Sequence, residues 1–435
     1  MWCGLLHRCN AKDEFLTVVI RQTRVVWFNT FNFPKTEVGS GKSGAPVQTL
    51  ENLEMKKTLV AIAALAAFGA QAQSSFTIDG GFDAGYQAIN YKGNKVSGIN
   101  NNGSYTSQIN FRGVQDLGGG LKADFRLESD INPVSKQANT GVANSANATT
   151  AANANNSVAS TWGNGEARVG INGGFGRVDL GAVNFNGIST TGTGMPFGTA
   201  IGGGYGAMYR VDVAGTAIRD ENAVKYTTPA FSGLNATLYK SNKQTKASNS
   251  TANSTTGIVT QQTTFNAALG AYDKLGSQEV GLNYANGPLA ASYSTLTQDS
   301  VDVGTGTTES KVNTLGANYA VNNAAKVFFL NQTVKTTTGT VATDTSYNAF
   351  SATYTMGNTV LMASTGSLKQ DGGTNAGKKS TITGLGADYN LSKTTALYAR
   401  YESIKDEAKM ITAASTIDGT DTKRTRTALG LRVTF

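Results

Sequence analysis

Residues 104–130 read SYTSQINFRGVQDLGGGLKADFRLESD, and the pattern of this stretch decides which folds remain open. Successive side chains of a β-strand point to opposite faces, so a two-residue period separates two kinds of surface. The second half has this period, because Leu121, Ala123, Phe125 and Leu127 alternate with Lys122, Asp124, Arg126 and Glu128. Together with the turn VQDLGGG, the stretch predicts an antiparallel hairpin with one apolar and one charged face. Such a hairpin suits a soluble sandwich or a membrane barrel with lipid outside and water within.

The same alternation continues to the end of the chain, where Leu429, Leu431 and Val433 alternate with charged or small residues. No helical period and no long apolar stretch interrupts it after residue 72, which argues against membrane-spanning helices. We expect sixteen strands, at residues 76–91, 103–113, 120–130, 161–172, 175–184, 218–228, 233–243, 277–286, 288–298, 310–320, 325–335, 344–355, 359–368, 379–390, 394–404 and 424–435. Every second connection is expected to be long, which is typical of an outer-membrane barrel. The sequence therefore favours an all-β, transmembrane antiparallel 16-stranded β-barrel.

The start of the chain does not share this pattern. Residues 55–72 read MKKTLVAIAALAAFGAQA, with two lysines, a short apolar core and an Ala-x-Ala site, as in a secretory signal peptide. A signal peptide belongs at an N-terminus, so residues 1–54 are interpreted as an extension from a mis-assigned start; the alternative is an unusual leader. The barrel is then expected to span residues 73–435.

The composition of residues 73–435 argues against most enzymatic chemistry. Both cysteines (Cys3 and Cys9) and the only histidine (His7) precede residue 73. Thiol catalysis, disulfides, histidine acid–base catalysis and the usual zinc ligands are therefore absent from the predicted exported chain. We predict no enzyme, no cofactor and no metal site. A barrel hydrolase and a soluble sandwich or adhesin are the less favoured alternatives.

Four stretches carry a family resemblance: FRGVQDLGGGLKADFRLES (111–129), RVGINGGFGRVDLGA (168–182), NAVKYTTPAFSGLNATLYK (222–240) and LGADYNLSKTTALYARY (385–401). With the terminal GLRVTF, they make residues 73–435 similar to the general porins of Gram-negative outer membranes. The resemblance implies a homotrimer of sixteen-stranded barrels in the cell outer membrane, each with its third external loop folded inward to narrow a water-filled pore. The implied partners are outer-membrane lipid and lipopolysaccharide, the outer-membrane assembly machinery, and small hydrophilic solutes and ions, with no nucleic acid. By the same resemblance, the terminal Phe435 is an assembly signal.

The resemblance also implies where the pore narrows. The constriction loop corresponds to residues 185–217, and its Met195, Pro196, Phe197 and Gly198 resemble the family's proline–aromatic–glycine portion. Family constrictions set basic wall residues against acidic loop residues. Arg168 and Arg219 match such wall positions, whereas Gln108 stands where family members often have another arginine. Asp212 is the only carboxylate of residues 185–217, so the loop has few acidic residues to oppose the basic residues of the wall.

Strand parity adds Lys122, Arg126, Arg177 and Lys225 to the expected lumen face. Basic groups in a narrow pore lower the barrier for anions, so the sequence predicts passive diffusion with a weak to moderate anion preference. The alternative is that these charges pair across the lumen and only hydrate it. A substrate-specific channel for sugars or organic anions is the second functional hypothesis, with Phe197, Tyr205 and Tyr209 as the aromatic residues that could line it.

Overall fold

The fold was analysed in a computed structural model. It describes residues 74–91, 94–134, 163–211, 218–246, 272–302, 306–372, 376–407 and 423–435. The predicted N-terminal extension (1–54), the predicted signal peptide (55–72) and Asp212 lie outside these residues.

The described residues form one antiparallel sheet whose two edge strands pair with each other. Its strands are β1 Ser75–Tyr91, β2 Asn94–Asn101, β3 Gln108–Gly118, β4 Leu121–Asp130, β5 Ala167–Gly173, β6 Gly176–Asn184, β7 Arg219–Thr227, β8 Leu234–Lys246, β9 Tyr272–Asn286, β10 Leu289–Asp302, β11 Gly306–Ala320, β12 Ala325–Thr338, β13 Val341–Met356, β14 Thr359–Asp371, β15 Lys379–Asn390, β16 Thr395–Asp406 and β17 Lys423–Thr434. The first strand pairs with the last, Gly81 opposite Thr434 and Tyr91 opposite Arg424, which closes the sheet into a barrel. Closure leaves no unpaired edge, which a sheet in a bilayer requires.

The seventeen strands fill sixteen positions around the barrel, because β2 and β3 share one position. Both pair with the same edge of β1: β2 lies opposite residues 84–91, and β3 lies opposite residues 75–81. The predicted sixteen-stranded barrel is therefore confirmed. The predicted strand 103–113 is wrong in detail, since residues 102–107 leave the sheet and divide this position in two.

Three predicted long loops are also wrong. Strand β2 occupies most of the first of them, between residues 91 and 103, and pairs with β1 as far as Tyr91 opposite Asn94. Strands β10 and β11 stay paired as far as Asp302 opposite Gly306, and β12 and β13 as far as Thr338 opposite Val341. Only a few residues therefore separate the paired strand ends in each case. Their outer strand ends are rich in Thr, Ser and Asp and lack an apolar period, but backbone pairing continues past the point where that period fades.

The two faces of the barrel differ as the alternation predicts. One face, called here the apolar face, exposes large apolar side chains along nearly every strand, among them Phe76, Val169, Leu238, Leu385 and Leu429. The opposite face, the polar face, carries most of the buried charged and hydroxyl side chains of the strands. An outward apolar band around a polar interior is the surface that a transmembrane barrel presents to lipid.

The hairpin predicted within residues 104–130 forms between β3 and β4. Its turn residues Gly118, Gly119 and Gly120 have φ angles of 82°, 61° and 80°. Glycine adopts this left-handed region without the steric cost that a Cβ brings, so the GGG run permits a tight reversal.

One helix, α1 (Asn186–Gly194), interrupts the strands, and the sequence did not predict it. Its sequence NGISTTGTG is poor in helix-forming residues and has no apolar period, so its stability must come from tertiary contacts. Within the described ranges, no helix is long and apolar enough to cross a bilayer.

Residues 102–107, which interrupt the second barrel position, are held by one buried carboxylate. Asp83 of β1 is fully buried and accepts hydrogen bonds from the backbone N–H groups of Gly103 (3.1 Å), Ser104 (2.8 Å) and Tyr105 (2.9 Å). The Tyr398 hydroxyl donates a further bond of 2.6 Å from β16. Asp83 therefore replaces the strand partner that this excursion gives up.

We predict that Asp83→Asn destabilises the folded barrel, because an amide group would turn N–H donors towards N–H donors. A lost charge-assisted network of this kind costs on the order of 2 kcal/mol. The measurement is the midpoint of denaturant unfolding in detergent. Asp371→Asn is the matched control, since Asp371 contacts Lys369 at 2.8 Å and both side chains are more than half exposed. An equal effect of both substitutions would contradict the role of Asp83.

Candidate pore lining and constriction

Two predicted lumen arginines lie in a compact ion-pair cluster on the polar face of β4, β5 and β6. Arg168 contacts Asp124 at 2.6 Å and Asp179 at 2.9 Å. Arg177 contacts the same two carboxylates at 2.7 and 2.6 Å. The two guanidinium groups and the two carboxylates balance one another, so this part of the wall is charged but locally neutral.

A glycine makes room for this cluster. Gly170 lies opposite Asp124 on one side and opposite Asp179 on the other. A Cβ at Gly170 would meet the Asp179 carboxylate at 2.5 Å and the Arg177 guanidinium at 2.7 Å. The cluster therefore occupies the space that a side chain at this position would take.

Arg126 is a second centre of ion pairing, one row nearer the long loops. It lies directly opposite Arg112 and Arg168, an arrangement of like charges that is unfavourable unless acids separate them. Glu166 at 2.6 Å and Glu128 at 2.7 Å supply those acids. Burial by itself raises the pKa of Glu166, but the charges of Arg126 and Arg168 outweigh it, and the net pKa lies below the ordinary value.

The remaining predicted wall residues are less closely paired. Arg219 donates to the Asn184 side chain at 2.7 Å and approaches Glu128 only to 3.6 Å. Lys225 donates to the Asn184 carbonyl at 2.9 Å, and its described surroundings show no carboxylate within ion-pair distance. Gln108 donates to the Tyr105 hydroxyl at 3.3 Å, and Lys122 is exposed.

Residues 185–211, called here the β6–β7 segment, contain α1 and lie against the polar face of distant strands. Its first anchor is Glu279 of β9, which is 2% exposed and accepts from the backbone N–H groups of Asn186 (2.5 Å) and Gly187 (2.7 Å). These N–H groups belong to the first turn of α1 and have no partner within the helix. A carboxylate at this end also interacts favourably with the helix dipole, which explains how a weak helical sequence is held.

The second anchor is Glu402 of β16, which is 1% exposed and contacts Arg424 and Arg426 of β17, both at 2.9 Å. The same carboxylate accepts from the backbone N–H groups of Gly202 and Gly204, both at 3.1 Å. A buried carboxylate with two arginines and two N–H donors is fully compensated. Glu402 therefore connects the middle of the segment to β16, which is the seventh strand after β9.

The predicted motif residues lie in the buried core between the segment and the sheet. Met195 is 1% and Phe197 5% exposed, and both pack with Leu330, Met362 and other side chains of β12–β16. Pro196 and Gly198 flank Phe197, and Gly198 adopts a φ of 54°. These residues fasten the segment to the wall and do not form an exposed rim.

Sequence reasoning missed both anchors and the only charged side chain of residues 185–211, Arg210. Arg210 is exposed; its Nε donates to the Gly206 carbonyl at 3.1 Å, and it has no ion pair among the described residues. The sequence does carry the signal for Arg210, because a single cation in a segment of uncharged residues is visible in it. Glu279 and Glu402 were identifiable only as isolated acids at polar-face positions.

The closed barrel, its apolar outer band and its charged polar face define the class of protein: a transmembrane β-barrel of the pore-forming type. A sequence profile of the Gram-negative porins matches residues 58–409. Outer membrane porin protein 32 of Delftia acidovorans is 31% identical over 373 residues, which cover 81% of this chain and 90% of the relative. Major outer membrane protein P.IB of Neisseria gonorrhoeae is 28% identical over 252 residues, or 56% and 58% of the two chains.

A solved structure, the anion-selective porin from Comamonas acidovorans, superimposes with a TM-score of 0.63 at 25% identity, covering 83% of this chain and all of that one. The chain therefore belongs to the Gram-negative porin family, and the predicted resemblance is confirmed. It is an outer-membrane β-barrel.

We predict that Gly384→Ala displaces the β6–β7 segment. A Cβ at Gly384 would overlap the Gly202 carbonyl oxygen, so the segment must move away from β15. Overpacking of this kind costs roughly 1–3 kcal/mol, and the single-channel conductance should change with it. Gly98→Ala is the matched control, because that strand glycine has no atom within 4 Å of the added Cβ. If the unfolding midpoint and the conductance of Gly384→Ala match those of Gly98→Ala, the close approach of Gly384 to the segment is unimportant.

Proposed function

We propose that this porin forms an open channel for passive diffusion of ions and small hydrophilic solutes, and that the β6–β7 segment folds into the lumen and narrows it. The two carboxylate anchors support this arrangement. Glu279 and Glu402 lie on β9 and β16, both on the polar face, and fewer than twenty residues of the segment connect them. The fold class of channel porins requires no catalytic step for this activity.

We further propose that the channel prefers anions, and the state of its fixed charges carries this proposal. The wall carboxylates Asp124, Asp179, Glu128, Glu166, Asp388 and Glu402 are each within 3 Å of an arginine. In contrast, Arg210 and Lys225 have no carboxylate within ion-pair distance among the described residues. Eight arginines contact these six carboxylates, so the ion-pair clusters keep an excess of positive charge, to which Arg210 and Lys225 add. A narrow pore amplifies this excess. The similar Comamonas structure is itself described as anion-selective.

The aromatic residues do not support a sugar-specific channel. Phe197 and Tyr209 are 5% and 3% exposed, and the Tyr209 ring stacks on Tyr347 with centroids 5.3 Å apart. Tyr205 packs edge-on against Tyr209 at 5.6 Å. The Phe197 and Tyr209 rings are buried against the wall and cannot offer stacking faces to a passing sugar, and the half-buried Tyr205 ring is already packed against Tyr209.

We predict a chloride-to-potassium permeability ratio above one, measured as the reversal potential of single channels under a KCl gradient. The double substitution Arg210→Gln and Lys225→Gln should lower the ratio by roughly half, since unpaired cations dominate the potential of a narrow pore. Lys335→Gln is the control, because Lys335 is exposed and has the strand parity of the apolar face. Cation preference in the unmodified protein would refute the proposal.

A homotrimer is the proposed assembly, as the family resemblance implies. Phe435 is proposed to act in assembly as well: its backbone N–H and carbonyl both bond Gly80, at 3.1 and 3.2 Å, and its half-exposed ring lies 5.8 Å from Phe82. This side chain thus stands on the apolar face at the seam where the barrel closes. Contacts with lipopolysaccharide and with the assembly machinery remain predictions.

We predict that unheated protein in detergent migrates at about three times the monomer mass and that heating converts it to the monomer. Each closed barrel satisfies its own backbone hydrogen bonds, so mild detergent leaves the subunits folded and their contact surfaces intact. The measurement is gel migration with and without heating, supported by light scattering with the detergent mass subtracted. A monomer under both conditions would contradict the trimer.

A further inference from the structure

A row of side chains crosses four strands of the polar face close to their short turns. The register sets Ala320 of β11 opposite Lys326 of β12, Lys326 opposite Thr353 of β13, and Thr353 opposite Met362 of β14. Lys326 has the same strand parity as Gln332, which donates to the Arg210 carbonyl of the β6–β7 segment at 2.6 Å. The row therefore lies on the face that the segment covers.

The β6–β7 segment covers this row on the side that faces the long loops. Asn318 donates to the Thr193 carbonyl at 2.8 Å, and the Ser351 hydroxyl contacts the Met195 sulfur at 3.5 Å. Asn318 and Ser351 belong to the next row of side chains, which lies two residues further along each strand from the short turns. On the other side, residues 322–324 of the β11–β12 turn border the space. A recess of about 590 Å³ remains between Pro196 and this turn.

The lining of the recess combines one positive charge with an apolar floor. Among the described residues that line it, Lys326 alone is charged. The Lys326 ammonium lies 5.9 Å from the centroid of the Phe328 ring, and no carboxylate of the described chain lies within ion-pair distance of it. Pro196, Val360 and Met362 provide further apolar surface. This chemistry differs from that of the arginine cluster, where each cation already has its anion.

We propose that this recess binds small organic monocarboxylates with a compact apolar body, such as an aromatic acid. The proposal rests on the proposed function, since the ligand reaches the recess through the lumen. The carboxylate lies against the Lys326 ammonium, and the apolar body covers Phe328, Val360 and Met362 in place of water. The volume is within the range of small-molecule sites, about 300–1,000 Å³. Because the recess is open to the lumen, we expect a dissociation constant on the order of 1 mM.

Two features of the ligand are both required by this geometry. A single ammonium attracts any anion weakly in water, so charge alone gives little selectivity. An apolar body alone gains only the burial of a small area. A ligand with both a charge and an apolar body binds more strongly than a small inorganic anion, because the inorganic anion leaves the apolar floor of the recess in contact with water. The recess thus selects among anions that the constriction admits.

The test uses the intact protein in planar bilayers, with benzoate, acetate and benzyl alcohol as probes at neutral pH. Benzoate should reduce the single-channel chloride current with saturation at millimolar concentration. Acetate lacks the apolar body and benzyl alcohol lacks the charge, so each should be at least tenfold weaker. Lys326→Gln should raise the half-blocking concentration of benzoate about tenfold. Lys393→Gln removes the same charge from another exposed short turn and should leave the block unchanged.

A second variant and a second measurement make the outcome decisive. Val360→Thr keeps the shape of the floor but adds a hydroxyl, and it should weaken benzoate several-fold without changing chloride selectivity. Saturation-transfer NMR on the detergent-solubilised protein should detect benzoate on the unmodified chain and not on Lys326→Gln. Unsaturable block, or binding that is equal in both proteins, would overturn the proposal. Failure of the anion-preferring channel would appear separately, as the wrong reversal potential in the absence of benzoate.

Discussion

The structure depends on one constraint: a sheet in lipid must pair every backbone N–H and C=O with another strand. Pairing of β1 with β17 meets it by closing the barrel, from Gly81 opposite Thr434 to Tyr91 opposite Arg424. Closure gives the two-residue period its meaning, because one face then meets lipid along every strand while the other meets the interior. Where pairing along β1 is interrupted, at residues 102–107, Asp83 provides a buried substitute, because its carboxylate accepts from three successive backbone N–H groups.

The same solution recurs where the β6–β7 segment meets the sheet. Glu279 accepts from two N–H groups at the start of α1, and Glu402 accepts from two more at Gly202 and Gly204. A segment buried without neighbouring strands leaves its backbone donors unpaired, and each such donor costs free energy. Carboxylates on the polar face supply the missing acceptors. The first role of these acids is therefore to stabilise the fold, and their effect on the electrostatic potential of the pore comes second.

That double role shapes the charge of the lumen. The acids that stabilise backbone donors or separate like-charged arginines are screened by their partners, as Glu166 is by Arg126 at 2.6 Å. For Arg126, Arg168 and Arg177, the interpretation that inward charges pair with one another is the one that fits the contacts. Basic residues that have no such duty, Arg210 of the segment and Lys225 of the wall, keep their charge available. Selectivity then depends on which charges the fold leaves unpaired.

The sequence by itself determined the barrel, the strand parity and much of the strand boundaries: β15 was predicted at 379–390 and spans Lys379–Asn390. These features are local, because adjacent residues specify the two faces of a strand and the turns that follow it. It also placed Arg126, Arg168 and Arg177 on one face, although not their acids in contact. Only the tertiary structure decided the break at 102–107, the helix Asn186–Gly194 and the choice of Glu279 and Glu402 as anchors. These contacts join residues 92 and 200 positions apart, and no local period can specify which distant carboxylate an unpaired backbone donor will find.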